Sequence, residues 1–177
     1  YTDKKGVLSK SLVQKINSFI AVLKVKKKSE EIISFDISDK QKCFIVKVKS
    51  KHETYFPQEC GGRFFSHLKK IKDLNKIDLY IDSLNLEKQK IVDFFSDFCL
   101  GFNLKSYTFN KYKTTNKDQI NKKIIYKIIT SHKAKLQKEY KYYDAIKEGV
   151  FLSRDLVSEP PNVLNPKRYT EEIKKLY

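Results

Sequence analysis

One apolar stripe constrains the fold more than any other feature of this sequence. Leu86, Ile91, Phe94, Phe95, Phe98 and Cys99 recur at three- and four-residue spacing, which is the period of one helix face. The spacing predicts a helix over about 85–101. Ser83 or Asn85 is placed to cap it, and Gly101 sits where a left-handed stop belongs. On both sides the period changes. Residues 77–81 (Ile-Asp-Leu-Tyr-Ile) alternate apolar and polar, and residues 122–130 hold Ile124, Ile125, Ile128 and Ile129; both runs predict strands. Strand, helix, strand in that order points to a layered α/β fold.

The rest of the chain extends this pattern. The compact apolar run at 19–25 stops at Lys26-Lys27-Lys28 and reads as a buried strand. Further strands are expected at 32–39 and 43–48. Gly61-Gly62 punctuates the chain ahead of a short helix over 64–74. From 131 to 157 the spacing is helical again, through Leu136, Tyr140, Tyr143, Ile146, Val150 and Phe151, with a bend expected at Gly149. Pro160-Pro161 ends that helix, because neither residue can donate a backbone hydrogen bond. Another helix begins at Asn165-Pro166 with Glu171-Glu172 close behind. The predicted architecture is α/β: a three-layer mixed sheet flanked by helices, followed by a long linker helix. With no Met anywhere and a final helix of barely three turns, the sequence reads as a piece of a longer polypeptide.

Charge raises the question of nucleic acid. The chain carries +16, but thirty-four of its thirty-seven basic residues are lysines; Arg63, Arg154 and Arg168 are the exceptions. Bidentate recognition of phosphate and base edges favours Arg. A coding sequence rich in A and T would also account for the Lys excess and for only three Ala. Tyr107, Phe109 and Tyr112 alternate with Lys105, Lys111 and Lys113, a pattern able to stack bases. The alternative is an extended segment that packs its alternate aromatics on the domain.

Known catalytic patterns are missing. Five glycines form no phosphate-binding loop, and there is no GxSxG, HExxH or CxxC. Cys43, Cys60 and Cys99 are scattered and odd in number, as befits a reducing compartment. His52, His67 and His132 are isolated, and His67 reads as structural. Cys99 lies on the apolar stripe and reads as core, while Glu30-Glu31 and Glu171-Glu172 read as solvent-facing pairs. No apolar run approaches the roughly 20 residues of a membrane helix, and no signal peptide is visible. A soluble, cytoplasmic chain is expected.

Two stretches carry a resemblance. Ser153-Arg154-Asp155-Leu156-Val157-Ser158-Glu159-Pro160-Pro161-Asn162-Val163-Leu164-Asn165-Pro166 resembles the junction motif of M17-family leucyl (cytosol) aminopeptidases. Gly101-Phe102-Asn103-Leu104-Lys105-Ser106-Tyr107-Thr108-Phe109-Asn110-Lys111-Tyr112-Lys113-Thr114 is similar to a segment of that family's amino-terminal domain, and Gly61-Gly62 falls where the family often has a glycine pair. Ser158 and Asn165 stand where the family commonly has Asn and Thr. The resemblance implies a macro-like amino-terminal domain over 1–130, a linker helix over 131–159 and the start of a catalytic domain over 160–177. It implies a cytoplasmic, usually hexameric parent enzyme that removes Leu and other residues from peptide amino termini. That chemistry is hydroxide attack on a carbonyl polarised by two zinc or manganese ions. The metal site and the catalytic Lys and Arg belong to the carboxy-terminal domain, whose motifs are absent here. No catalytic, cofactor-binding or metal-ligating residue is therefore assigned to this chain. Its own role is expected to be assembly and stability, with DNA or RNA binding as the alternative. ADP-ribose binding by the macro-like fold is disfavoured because the glycine-rich loops are missing.

Overall fold

A computed structural model describes residues 8–25, 31–48, 53–82, 84, 87–114 and 123–176. The elements in chain order are α1 (Lys10–Val25), β1 (Ile32–Ser38), β2 (Gln41–Val46), α2 (Phe56–Lys69), β3 (Lys76–Tyr80), α3 (Lys88–Ser106), β4 (Ile125–Ile129), α4 (Lys133–Ser158) and α5 (Pro166–Lys174). The fold is mixed α/β, as the sequence predicts. Among the described residues the strands form two small sheets rather than one. β1 and β2 pair antiparallel, from Ile32↔Val46 to Ser38↔Gln41. β3 and β4 pair parallel, from Lys76↔Ile125 to Tyr80↔Ile129, with α3 as the crossover that parallel strands require.

The run at 19–25 is helix, not strand. Leu12, Val13, Ile16, Phe19 and Ile20 lie on the inward side of α1, and this helical period starts well before the compact run that suggested a strand. Ser9 Oγ accepts from the Leu12 N–H at 3.3 Å, occupying a donor that the first turn leaves free. The Phe19 ring meets Phe35 of β1 at 4.6 Å between centroids, which seats α1 on the antiparallel ladder.

The core is a cross-packed pair of helices. α2 contributes Phe56, Cys60, Phe64, Phe65 and Leu68; α3 contributes Ile91, Val92, Phe94, Phe95, Phe98, Cys99 and Phe102. Aromatic edges fill the seam, with Phe65 edge-on to Phe102 at 5.1 Å and Phe102 edge-on to Tyr126 of β4 at 5.2 Å. Such pairs contribute about 0.5–1.5 kcal/mol each beyond their buried area.

The glycines behave differently from the sequence reading. Gly61-Gly62 lies inside α2, which begins at Phe56 with Pro57 in its first turn, and Gly101 lies inside α3, which runs on to Ser106. Neither site is a turn. A Cβ on Gly61 would sit 1.9 Å from the Phe98 carbonyl oxygen, and one on Gly101 would sit 1.9 Å from that of Gln58. The two helices cross backbone to backbone at these residues, so the glycines are there for closeness rather than for a left-handed conformation. The expected caps Ser83 and Asn85 lie outside the described residues; Glu87 takes the N-cap position of α3, with no side-chain cap bond.

α4 is one continuous helix through Gly149. Leu136 is its one buried residue among those described, so most of its length lies on the surface. It ends ahead of Pro160-Pro161. Asn165 then caps α5 by accepting from the Arg168 N–H at 3.0 Å, with Pro166 in the first turn.

Candidate functional site

The densest polar cluster joins the segment after α3 to the end of α4. α3 ends as the backbone turns extended at Tyr107, which leads the chain past the carboxy-terminal turns of α4. Arg154 Nη1 donates to the Leu104 carbonyl at 2.6 Å, satisfying one of the acceptors that the last turn of α3 leaves unpaired. The same guanidinium lies 5.4 Å from the Tyr107 ring centroid. Tyr107 donates its hydroxyl to Asp155 Oδ1 at 2.7 Å, and its ring packs on Phe151 at 5.2 Å. One turn further on, Lys111 Nζ donates to Glu159 Oε1 at 2.5 Å. The Tyr112 hydroxyl donates to the other oxygen of the same carboxylate.

Electrostatics follow this geometry. The hydrogen bonds from Lys111 and Tyr112 hold the Glu159 carboxyl below the usual carboxylate range. The hydrogen bond to Glu159 raises the Lys111 ammonium, and the same carboxylate raises the Tyr112 phenol. This arrangement clasps the end of a long helix to the body of the domain.

The basic–aromatic segment at 105–113 is thus engaged. Tyr107 and Phe109 are half-buried, Phe109 meets Tyr112 at 5.8 Å, and Lys111 is bound to Glu159. The alternate-packing reading of this segment describes it, whereas base stacking along it would need those contacts to break.

The clasp also joins the two stretches that carry the family resemblance, 101–114 and 153–166. No protein-family model matches the chain. Curated relatives do: a probable cytosol aminopeptidase of Agrobacterium fabrum is 35% identical over 119 residues, covering 66% of this chain and 23% of the relative. One from Rhizobium etli is 36% identical over 110 residues, covering 60% of this chain and 22% of its own length. Among solved structures, a tomato leucine aminopeptidase mutant matches 97% of this chain and 34% of its own, with a TM-score of 0.72 at 19% identity. The chain is thus similar in sequence to part of the cytosol aminopeptidases and in fold to part of a leucine aminopeptidase. It corresponds to less than a quarter of the length of the curated aminopeptidases it matches. The bottromycin maturation enzyme BotP, solved with Mn, shares the fold at a TM-score of 0.65 and 13% identity, over 88% of this chain.

Leucine aminopeptidases imply metal dependence, and the described residues offer no cluster of ligands that fits such ions. No three His, Cys, Asp or Glu side chains converge among the described residues. Cys99 is buried in the core, and burial pushes its thiol up to about 12. Cys60 is buried and Cys43 half-buried, both raised by desolvation. The His67 ring stands edge-on to Phe44 at 6.0 Å. Glu31 pairs with Arg63 at 3.2 Å and Glu172 with Lys175 at 2.6 Å. His52 and Glu30 lie outside the described residues.

The carboxyl ends of the parallel strands, where open α/β sheets bind ligands, are bridged to each other by hydrogen bonds. Asp82 follows β3 and accepts from the Thr130 hydroxyl at 2.7 Å and from the Ser131 N–H at 2.8 Å. Thr130 Oγ1 accepts in turn from the His132 N–H at 3.1 Å. Sequence reasoning passed over Asp82, because an isolated Asp after a strand carries no pattern. Two residues of the clasp, Asp155 and Glu159, were visible only as part of the junction motif.

No helix among the described residues is long and apolar enough to cross a membrane.

Proposed function

We propose that this chain is the non-catalytic amino-terminal domain of a metal-dependent leucyl aminopeptidase that releases amino-terminal residues from peptides. Its role is to hold the linker helix in register and so support folding and hexamer assembly. Residues 1–130 form the macro-like domain, 131–159 the linker helix and 160–177 the entry to the catalytic domain. The parent acts in the cytoplasm, and its two zinc or manganese ions are held by the catalytic domain. The observation that carries this reading is the clasp: Arg154, Asp155 and Glu159, all within the junction motif, are each bound by the segment 104–112. A domain that grips the helix leading out of it can set where the next domain stands.

The test uses a polypeptide that carries this domain together with its catalytic domain. Manganese-activated hydrolysis of leucine amide is expected from that polypeptide and not from the 177 residues alone. Deleting residues through Ser131 should lower its hexamer content or melting temperature. A deletion form that remains a fully active hexamer of unchanged stability would overturn the architectural role.

A further inference from the structure

With the 105–113 segment engaged in the clasp, the positive charge has a different outlet. A groove runs along the end of β4 and the first three turns of α4. Ile128 and Leu136 form its apolar base, and Lys133, Lys138, Lys141 and Tyr140 line it. No carboxylate lines this groove. All three lysines are exposed, and none has an ion-pair or hydrogen-bond partner among the described residues. By contrast Lys42, Lys90, Lys111, Lys147 and Lys175 each lie against a carboxylate. The first turn of α4 contains no acidic residue, so the positive end of the helix dipole adds to the field there. Tyr140 is 37% exposed.

We propose that this groove binds single-stranded nucleic acid, with Lys133, Lys138 and Lys141 on phosphates and Tyr140 under a base. The inference does not depend on the aminopeptidase reading. A cationic groove that tracks a backbone beside an open aromatic face is what sequence-tolerant single-strand binding needs. Duplex recognition would require an element shaped to enter a groove of the helix, and a half-covered ring beside three lysines favours an unstacked base.

The test is fluorescence anisotropy of the 177-residue chain with a labelled oligothymidylate of about 20 nucleotides, a length that exceeds a typical single-strand site, over a range of salt. Lys138→Gln with Lys141→Gln removes two contacts. It should weaken binding about tenfold and flatten the log–log salt slope by about 1.4, at about 0.7 per phosphate. Lys10→Gln with Lys47→Gln removes the same charge from distant exposed sites and should leave that slope unchanged. Tyr140→Leu should weaken binding while Tyr140→Phe retains it, both at an unchanged melting temperature. Equal losses from the two lysine pairs would mean diffuse charge attraction and overturn the proposal. So would duplex of equal length, or vesicles containing phosphatidylserine, binding as tightly as the single strand, or no binding at low salt.

Discussion

Gly61 of α2 lies directly against the carbonyl of Phe98 in α3, so close that a single added methyl would sit 1.9 Å from that oxygen. The relation is reciprocal, since Gly101 of α3 meets the Gln58 carbonyl of α2 at the same distance. At these two points the helices touch through backbone, and the Phe side chains around them fill the space on either side. Gly61→Ala and Gly101→Ala should each destabilise the domain by about 1–3 kcal/mol or more, because both obstructing atoms are backbone and cannot swing aside. Gly149 has nothing within 4 Å of the added atom. Gly149→Ala should therefore stabilise by about 0.5–1 kcal/mol through helix propensity alone. Thermal melts of the three variants check this, and equal shifts for Gly101 and Gly149 would contradict the close crossing.

Phe102 is among the most completely buried side chains and touches Phe64, Phe65 and Tyr126. Truncation to Ala should cost about 3–5 kcal/mol, a large share of a domain's net stability. Urea unfolding should show the midpoint falling with little change in slope. A loss below about 1 kcal/mol, the range of surface substitutions, would mean that the α2–α3 seam does not carry the core.

The clasp should respond to acid. The folded Glu159 carboxyl titrates below its ordinary value of 4.5 because it accepts from Lys111 and Tyr112. Its contribution is therefore present above that ordinary value and is lost as pH falls through the lowered folded value. Glu159→Gln should remove that acid-dependent part of stability and leave the variant's melting temperature less sensitive to pH between neutrality and strong acid. The neutral-pH effect should be small, because Lys111 is exposed and exposed pairs contribute little. Hydrogen exchange over 107–112 gives a local readout. Unchanged protection in Glu159→Gln and Tyr107→Phe would show that the segment holds its place without the clasp.

Thiol reactivity should rank by burial. Cys43 is half-buried in β2, while Cys60 and Cys99 are enclosed and the Cys99 thiol is pushed up to about 12. At pH 8 a disulfide reagent should label Cys43 first and reach Cys99 only on unfolding, since the thiolate is the reacting form. Rapid labelling of all three would indicate a looser core.

The sequence by itself determined the strongly periodic elements and the punctuation by proline. The stripe from Ile91 to Cys99, strands close to those expected (observed at 76–80 and 125–129), the long helix ended by Pro160-Pro161 and the Asn165-Pro166 start are all local signals, and all stand in the structure. Local signals were also where the reading failed. The run at 19–25 carries β-branched apolar residues, but it continues a helical period of inward residues that begins at Leu12, and its Phe19 packs on Phe35 of β1. Gly61, Gly62 and Gly101 carried the pattern of turns, and only the approach of α2 to α3 shows that two of them exist for a backbone crossing.

The polar networks were likewise decided in three dimensions. Asp82 and Thr130 are 48 residues apart in sequence, as are Tyr107 and Asp155. A hydrogen bond depends on distance and angle between two side chains, and neither is encoded in the residues that separate them. The junction motif announced that Arg154, Asp155 and Glu159 belong together. Only the tertiary structure supplied Leu104, Tyr107, Lys111 and Tyr112 as the groups that hold them, because it is packing of the phenylalanine core that brings the end of α3 beside the end of α4.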